Sequence, residues 1–198
     1  VIAEKGHINP CIGVAQYLQD MGHDISFYAT HDIGEQLKAT GIPQFLGSHA
    51  PRPANHGAEF AKQIRDKHWL RSWIKNLLIT QTPDAIAPMR RLVQGFDLVV
   101  CDPMLYPAVI ACEQEKKIWI ALSNSLNPTL PESMQSELLD TLDWLSEDRR
   151  GLFDGLNVRF RGCDALSPHL TIAFTTPEFT GGFIDGVEQV GPATALGS

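Results

Sequence analysis

The sequence predicts an α/β fold, a doubly wound and mainly parallel Rossmann-like sheet with helices on both faces, formed as a single domain over residues 1–198. Short apolar runs alternate with segments of helical period along the whole chain. Glycine or proline stands at the junctions Gly22, Gly41, Pro83, Gly95 and Pro103. No internal repeat or low-complexity tract breaks the alternation, so right-handed strand–helix–strand crossovers are the simplest arrangement.

Val1, Ile2 and Ala3 are apolar and β-compatible, but three residues are fewer than the ~5 of a central strand, so they read as part of a first strand. Asn9 is a suitable N-cap and Pro10 a suitable first residue for a helix over 10–21, where Cys11, Val14, Ala15, Leu18 and Met21 recur at helical spacing. Gly22 supplies a left-handed stop, and 25–29 follow as a mostly buried strand. Asp32 and Glu35 resemble a capping box, opening a second helix that ends at Gly41 before a short strand over 42–46.

Residues 47–57 hold two prolines and two histidines without any period and read as a loop bordering a pocket. An amphipathic helix is expected over 58–80, with Phe60, Ile64, Leu70, Trp73, Ile74, Leu77 and Leu78 on its apolar side and Pro83 ending it. A helix over 84–94 leads to a buried parallel strand over 97–101, which stops at Asp102-Pro103. A helix over 106–116, a strand over 118–122 and a polar turn over 123–128 come next. Residues 132–145 are helical, 148–163 mixed, and 170–174 and 187–190 late short strands.

Composition bounds the function. Twenty-three acidic against 16 basic residues give a net charge of -7, so no basic field collects nucleic acid or anionic membrane. No run reaches the ~18 apolar residues of a membrane-spanning helix, and the opening residues lack a charged start followed by an apolar core, so the expected location is cytoplasmic. Cys11, Cys101, Cys112 and Cys163 lie in apolar or helical surroundings without a C-x-x-C spacing and are expected to be free thiols.

In a doubly wound sheet, ligands bind beyond the carboxyl ends of the strands where the strand order reverses. His7 follows the first strand and Asp102 the fourth, so the commonest strand order brings an imidazole and a carboxylate to one edge. A carboxylate that accepts the Nδ1 proton fixes the tautomer and leaves Nε2 free to take a proton from a substrate. The competing readings are a hydrogen-bonded turn histidine and an aspartate capping the turn before Pro103.

Among the remaining candidates, His31-Asp32 reads as a helix start rather than a ribose ligand, and His49 and His56 lack zinc-ligand spacing, so no metal is expected. Trp69, Trp73, Leu70, Leu77 and Leu78 line an acceptor pocket or form ordinary core, with neither reading favoured. Ser123, Asn124 and Ser125 stand on the same carboxyl edge and could donate hydrogen bonds to a polar ligand.

The run Gly6-His7-Ile8-Asn9-Pro10, its helix, and the segment 21–27 (Met-Gly-His-Asp-Ile-Ser-Phe) together resemble the opening of the GT-B glycosyltransferases of the UDP-glycosyltransferase superfamily, such as those acting on macrolides, flavonoids and carotenoids. Asp97 to Asp102 is similar to that family's fourth strand with its partner aspartate, and Val190-Gly191-Pro192 to the motif closing its amino-terminal domain. The resemblance covers essentially the whole chain.

It implies an acceptor-binding amino-terminal domain of an inverting hexosyltransferase. His7 would deprotonate an acceptor hydroxyl and Asp102 would hold and charge-balance His7. Ile8, Trp69, Trp73 and Met104 would contact a small, apolar hydroxylated acceptor, and Ser123 and Asn124 the donor sugar. A nucleotide-activated sugar such as a UDP-sugar is then the donor substrate, with no cofactor and no metal. Most nucleotide contacts belong to a carboxyl-terminal domain whose signatures are absent from these 198 residues, so the isolated chain is expected to be inactive. Two rivals stay open: a noncatalytic binding domain that needs a partner chain, and a dinucleotide-binding Rossmann domain, which the lack of G-x-G-x-x-G disfavours.

Overall fold

The computed structural model describes residues 2, 5–47, 61–63, 65–125, 127–130 and 135–192. The first helix, α1 (Lys5–Asp20), begins earlier than expected, which places His7 in its first turn. Buried Ile8, Cys11, Ile12 and Ala15 recur at helical spacing, so the apolar face extends one turn back beyond Pro10. Pro10 has no N–H to give, and near the start of a helix that costs only the bond to the Gly6 carbonyl. The expected stop at Gly22 is present: its φ is +91°, and His23 N–H donates back to the Leu18 carbonyl at 3.1 Å.

Strand β1 (Phe27–Ala29) pairs in parallel with β2 (Gln44–Leu46) around the short helix α2 (Gly34–Leu37). The expected capping box is replaced by another device. Ile33 is the N-cap, and Asp32 Oδ1 accepts from Gly34 N–H at 2.8 Å, closing an Asx turn. Gln44 then clamps the turn to β2, donating to the His31 carbonyl at 3.0 Å and accepting from Ile33 N–H at 3.2 Å.

The loop over 47–57, with His49 and His56, lies almost wholly outside the described residues, as does the start of the helix expected over 58–80. That helix is not continuous. Asp66 is extended, and its carboxylate accepts from His68 and Trp69 N–H, so a fresh helix, α3 (Lys67–Lys75), starts there. A π-helical turn (Asn76–Thr80) leads into α4 (Thr82–Val93), where Pro83 occupies the first turn and opens a helix rather than ending one.

Strand β3 (Val99–Cys101) is followed by α5 (Tyr106–Glu115) and by β4 (Trp119–Ser123). Lys116 ends α5 in the left-handed region at φ +53°, a position that favours glycine. Lys116→Gly is expected to stabilise the chain by about 0.5–1 kcal/mol. A thermal melt checks this, and a lower midpoint contradicts it.

Helix α6 (Glu137–Trp144) starts from Ser136, whose hydroxyl accepts Leu139 N–H, while residues 132–134 of the helix expected over 132–145 lie outside the described residues. The segment that sequence left mixed forms α7 (Ser146–Leu152) and a hairpin of β5 (Arg159–Arg161) with β6 (Asp164–Leu166). Strand β7 (Leu170–Ala173), helix α8 (Pro177–Thr180) and β8 (Glu188–Gln189) complete the chain.

The parallel strands order as β3-β4-β7-β8 in one sheet and β1-β2 in another. The strand expected over 97–101 is shorter and less buried than predicted, with Leu98 44% and Val100 39% exposed. Its open edge faces an apolar cavity of about 170 Å³ that also meets β1, α1 and α4. No described strand bridges β1 and β3, and Ile2, the described part of the expected first strand, is not in a strand.

The main core packs α4, α5 and α6 on β3 and β4 around fully buried Tyr106, Val109, Ile110 and Trp119. A smaller one joins α1 to β1 and α2. Near-complete apolar burial on both faces of β4 is what a central parallel strand requires.

Candidate active site

The site is built where β3 and β4 end. Asp102 follows β3 directly and is 2% exposed. Its Oδ1 accepts from Met104 N–H at 3.1 Å, the turn-capping role weighed in the sequence. Its Oδ2 accepts from Ile2 N–H at 3.2 Å and lies 2.8 Å from His7 Nδ1. The two oxygens therefore serve the turn and the histidine at once, and the two readings of Asp102 coexist. His7 and Asp102, 95 residues apart, meet where the first turn of α1 lies against the turn that follows β3.

This arrangement fixes the imidazole. With Nδ1 committed to the carboxylate, Nε2 is the ring's free nitrogen among the described residues, and the side chain keeps 18% exposure. Burial pushes His7 towards the neutral form, but the hydrogen bond and charge of Asp102, with the charge of Asp164, outweigh it and raise the pKa above 6.5. Burial would likewise raise Asp102, yet the His7 hydrogen bond and charge hold it below the ordinary 3.8. The aspartate thus stays ionised while the histidine titrates.

The sign of the resulting pH dependence follows. Asp102, lowered in the fold, contributes stability above pH 3.8 that is lost as pH falls through its folded pKa. His7, raised in the fold, contributes stability below pH 6.5 that is lost as pH rises through its folded pKa. The melting temperature is expected to fall as pH rises from 6.5 to about 8, below the range in which the buried thiols add a fall of their own. In His7→Gln the slope over that interval should flatten; an unchanged slope contradicts the pairing.

Sequence reasoning passed over Asp164. It is fully buried at the start of β6, where Asn127 Nδ2 donates to Oδ1 at 3.0 Å and the Ser123 and Ser125 hydroxyls donate to the carboxylate. Burial pushes its pKa up to about 6 despite those donors, with the charge of Asp102 adding to the rise. The one signal in the sequence was an acidic residue between apolar Cys163 and Ala165.

The other expected site residues fall in several places. Ile8 is 1% exposed inside the smaller core, so its side chain packs rather than faces solvent. Met104 is half-buried beside Asp102, its sulfur 3.7 Å from Asn127 Nδ2. Trp69 and Trp73 stack on each other along α3 at 6.1 Å, and Trp73 packs on the main core. Ser123 turns inward to Asp164 and to the Ser125 carbonyl. Asn124 Nδ2 reaches Cys11 Sγ and the Leu122 carbonyl, while its buried Oδ1 lacks a donor among the described residues.

A cleft of about 60 Å³ opens next to the Asp102 turn, lined by Thr30, His31, Leu77, Ala85, Met104 and Leu105. The larger cavity between β1 and β3 is lined mainly by apolar residues of α1, β1, α4 and β3, and Asp102 borders it as well. Asp32 is engaged by its own turn, in keeping with a helix start. All four cysteines are free and buried. No cluster of three or more His, Cys, Asp or Glu that could hold a metal occurs among the described residues. No described helix is long and apolar enough to cross a membrane.

A Rossmann-like α/β domain with a histidine–aspartate pair at its carboxyl edge is the class that fold and site define. Solved structures of similar fold include glycosyltransferases. The calicheamicin glycosyltransferase CalG4 matches with a TM-score of 0.62 and 17% identity, over 96% of this chain and 51% of that one. The kitacinnamycin glycotransferase matches with a TM-score of 0.58 and 16% identity, over 100% of this chain and 51% of that one. SsfS6 from Streptomyces sp. SF2575, solved with thymidine diphosphate, gives 0.50 and 18%, over 89% and 48%.

The chain has the fold of one half of a GT-B glycosyltransferase, consistent with the amino-terminal half, and spans about half the length of the solved chains it matches. No family model and no curated protein matches the sequence.

Proposed function

We propose that this chain is the acceptor-binding half of an inverting glycosyltransferase, moving a hexosyl group from a nucleotide-activated sugar to a hydroxyl of a small apolar molecule. The observation that carries the reading is the 2.8 Å approach of His7 Nδ1 to Asp102 Oδ2, which leaves Nε2 as the ring's free nitrogen among the described residues. An acceptor hydroxyl hydrogen-bonded to Nε2 gives up its proton to the ring as its oxygen bonds to the anomeric carbon. The bond from that carbon to the diphosphate oxygen breaks, the nucleoside diphosphate leaves with its electron pair, and attack from the opposite face inverts the centre. Asp102 balances the imidazolium formed in that step.

In this reading the apolar cleft beside Met104 and Leu105 holds the acceptor, and the nucleotide is held mainly by a second α/β half. Ser123 is bound to Asp164, which leaves Asn124 as the better placed of the two residues expected to touch the donor sugar. No cofactor takes part, and a cytoplasmic location fits a nucleotide-sugar donor. The test supplies the nucleotide-binding half, in one chain or as a second, and follows transfer from common nucleotide sugars with the product's anomeric configuration read by NMR. Inverted product formed only when both halves are present supports the reading; product of retained configuration overturns the mechanism.

A second reading, a noncatalytic partner-binding domain, is favoured by Phe179, Phe183 and Val190, which are 73%, 90% and 58% exposed near the end of the chain. His7→Ala separates the two readings, because partner capture without a catalytic role survives it.

A further inference from the structure

We propose that Asp164 is a positioning residue for the His7–Asp102 pair, a second buried carboxylate that anchors the Asp102 turn and stabilises the protonated imidazole. This rests on the reading of His7 as the base. The connection runs through Met104 and Asn127. Asp102 Oδ1 accepts from Met104 N–H, the Met104 sulfur accepts one Asn127 amide hydrogen at 3.7 Å, and the other goes to Asp164 Oδ1 at 3.0 Å. A direct backbone bond parallels it, from Ala165 N–H to the Pro103 carbonyl at 3.1 Å, so the hairpin bearing Asp164 is fastened to the turn bearing Asp102.

The local structure is shaped around this contact. Gly162 turns the hairpin at φ +55°, and a Cβ there would stand 3.2 Å from the Asn127 Cβ, so glycine is required both by the backbone and by the approach of Asn127. Asp164 takes hydroxyl hydrogens from both Ser123 and Ser125, which ties the turn after β4 to the same carboxylate. A purely structural anchor could be a neutral amide; an acid kept in the interior costs more unless its charge is used.

The charged and titratable groups around it are Asp102 after β3, His7 on α1, Tyr106 on α5, Cys163 beside it and Arg149 on α7. Tyr106 and Cys163 are buried and pushed up, Cys163 to about 12, so both are neutral at physiological pH. Arg149 donates to the Gly162 carbonyl at 2.8 Å, behind the hairpin. His7 is left as the group whose charge Asp164 favours.

The test is an NMR titration of the His7 ring in this chain and in Asp164→Asn and Asp102→Asn. Asp164→Asn keeps shape and an acceptor for Asn127 while removing the charge, and should lower the His7 pKa by about 0.5–1 unit, with a larger fall in Asp102→Asn. A His7 curve unmoved by Asp164→Asn but lowered by Asp102→Asn overturns the role of Asp164 alone. A curve unmoved by either also overturns the pairing on which the proposed function stands. Should Asp164→Asn lose its dispersed spectrum, the unaltered chain decides. Coupled sites give His7 a curve inflected at the pH where the Asp164 carboxyl carbon titrates, and a simple one-site His7 curve overturns the proposal.

Discussion

His7→Ala is expected to slow sugar transfer by about 10²–10⁴-fold when both halves are supplied, with little change in acceptor affinity. The size follows from losing a positioned base whose Nε2 is the ring's free nitrogen among the described residues while Nδ1 is held at 2.8 Å by Asp102. Binding should be nearly unaffected, because the cleft is lined by Met104, Leu105 and Leu77 rather than by the ring. The kinetic signature is a fall in kcat at nearly constant KM. The same substitution leaves Asp102 2% exposed with no cation beside it, so a melting temperature must accompany the rates. Asp102→Asn should fall in the same range by misorienting the ring; unchanged kcat in either variant contradicts the assignment.

Tyr106→Ala is expected to cost about 3–5 kcal/mol of stability in urea unfolding, the range for removing a large core ring. The Tyr106 ring is 0% exposed and meets Phe153 and Phe160 edge-on at 5.2 and 5.7 Å. Its hydroxyl donates to the Cys163 carbonyl at 2.8 Å, so the ring also holds the hairpin next to Asp164. Tyr106→Phe, which keeps the packing and orphans that carbonyl, should cost about 1–3 kcal/mol. A loss below about 1 kcal/mol in Tyr106→Ala contradicts the claim that this ring locks the hairpin to the core.

The alternation of strands and helices was legible because it is written in local patterns: 99–101 and 119–123 are apolar runs between glycine, proline and charged punctuation. The errors came where tertiary contacts outweighed local signals. Pro10 marks a helix start by propensity, but buried Ile8 carries α1 back past it. Asp66 falls inside the one long helix expected over 58–80, whereas its carboxylate caps a new one. Asp32 had the spacing of a capping box, yet its carboxylate found Gly34 N–H first.

The pair His7 and Asp102 could be nominated from sequence because strand ends in a doubly wound sheet share an edge. Asp164 could not, since its importance arises from Ser123, Ser125 and Asn127, 37 to 41 residues away, and no spacing rule joins a hairpin to a turn after another strand. Ile8 shows the converse. The family resemblance implies a ligand contact for Ile8, but the residue next to His7 along the helix points elsewhere, in this case into the smaller core.

The pH dependence of kcat/KM for transfer, measured with both halves present and compared with Asp102→Asn, tests the dyad most directly. The expected profile rises as His7 loses its proton, with its inflection above 6.5, and that inflection moves to lower pH when the Asp102 charge is removed. An inflection at the same pH in both proteins contradicts the account.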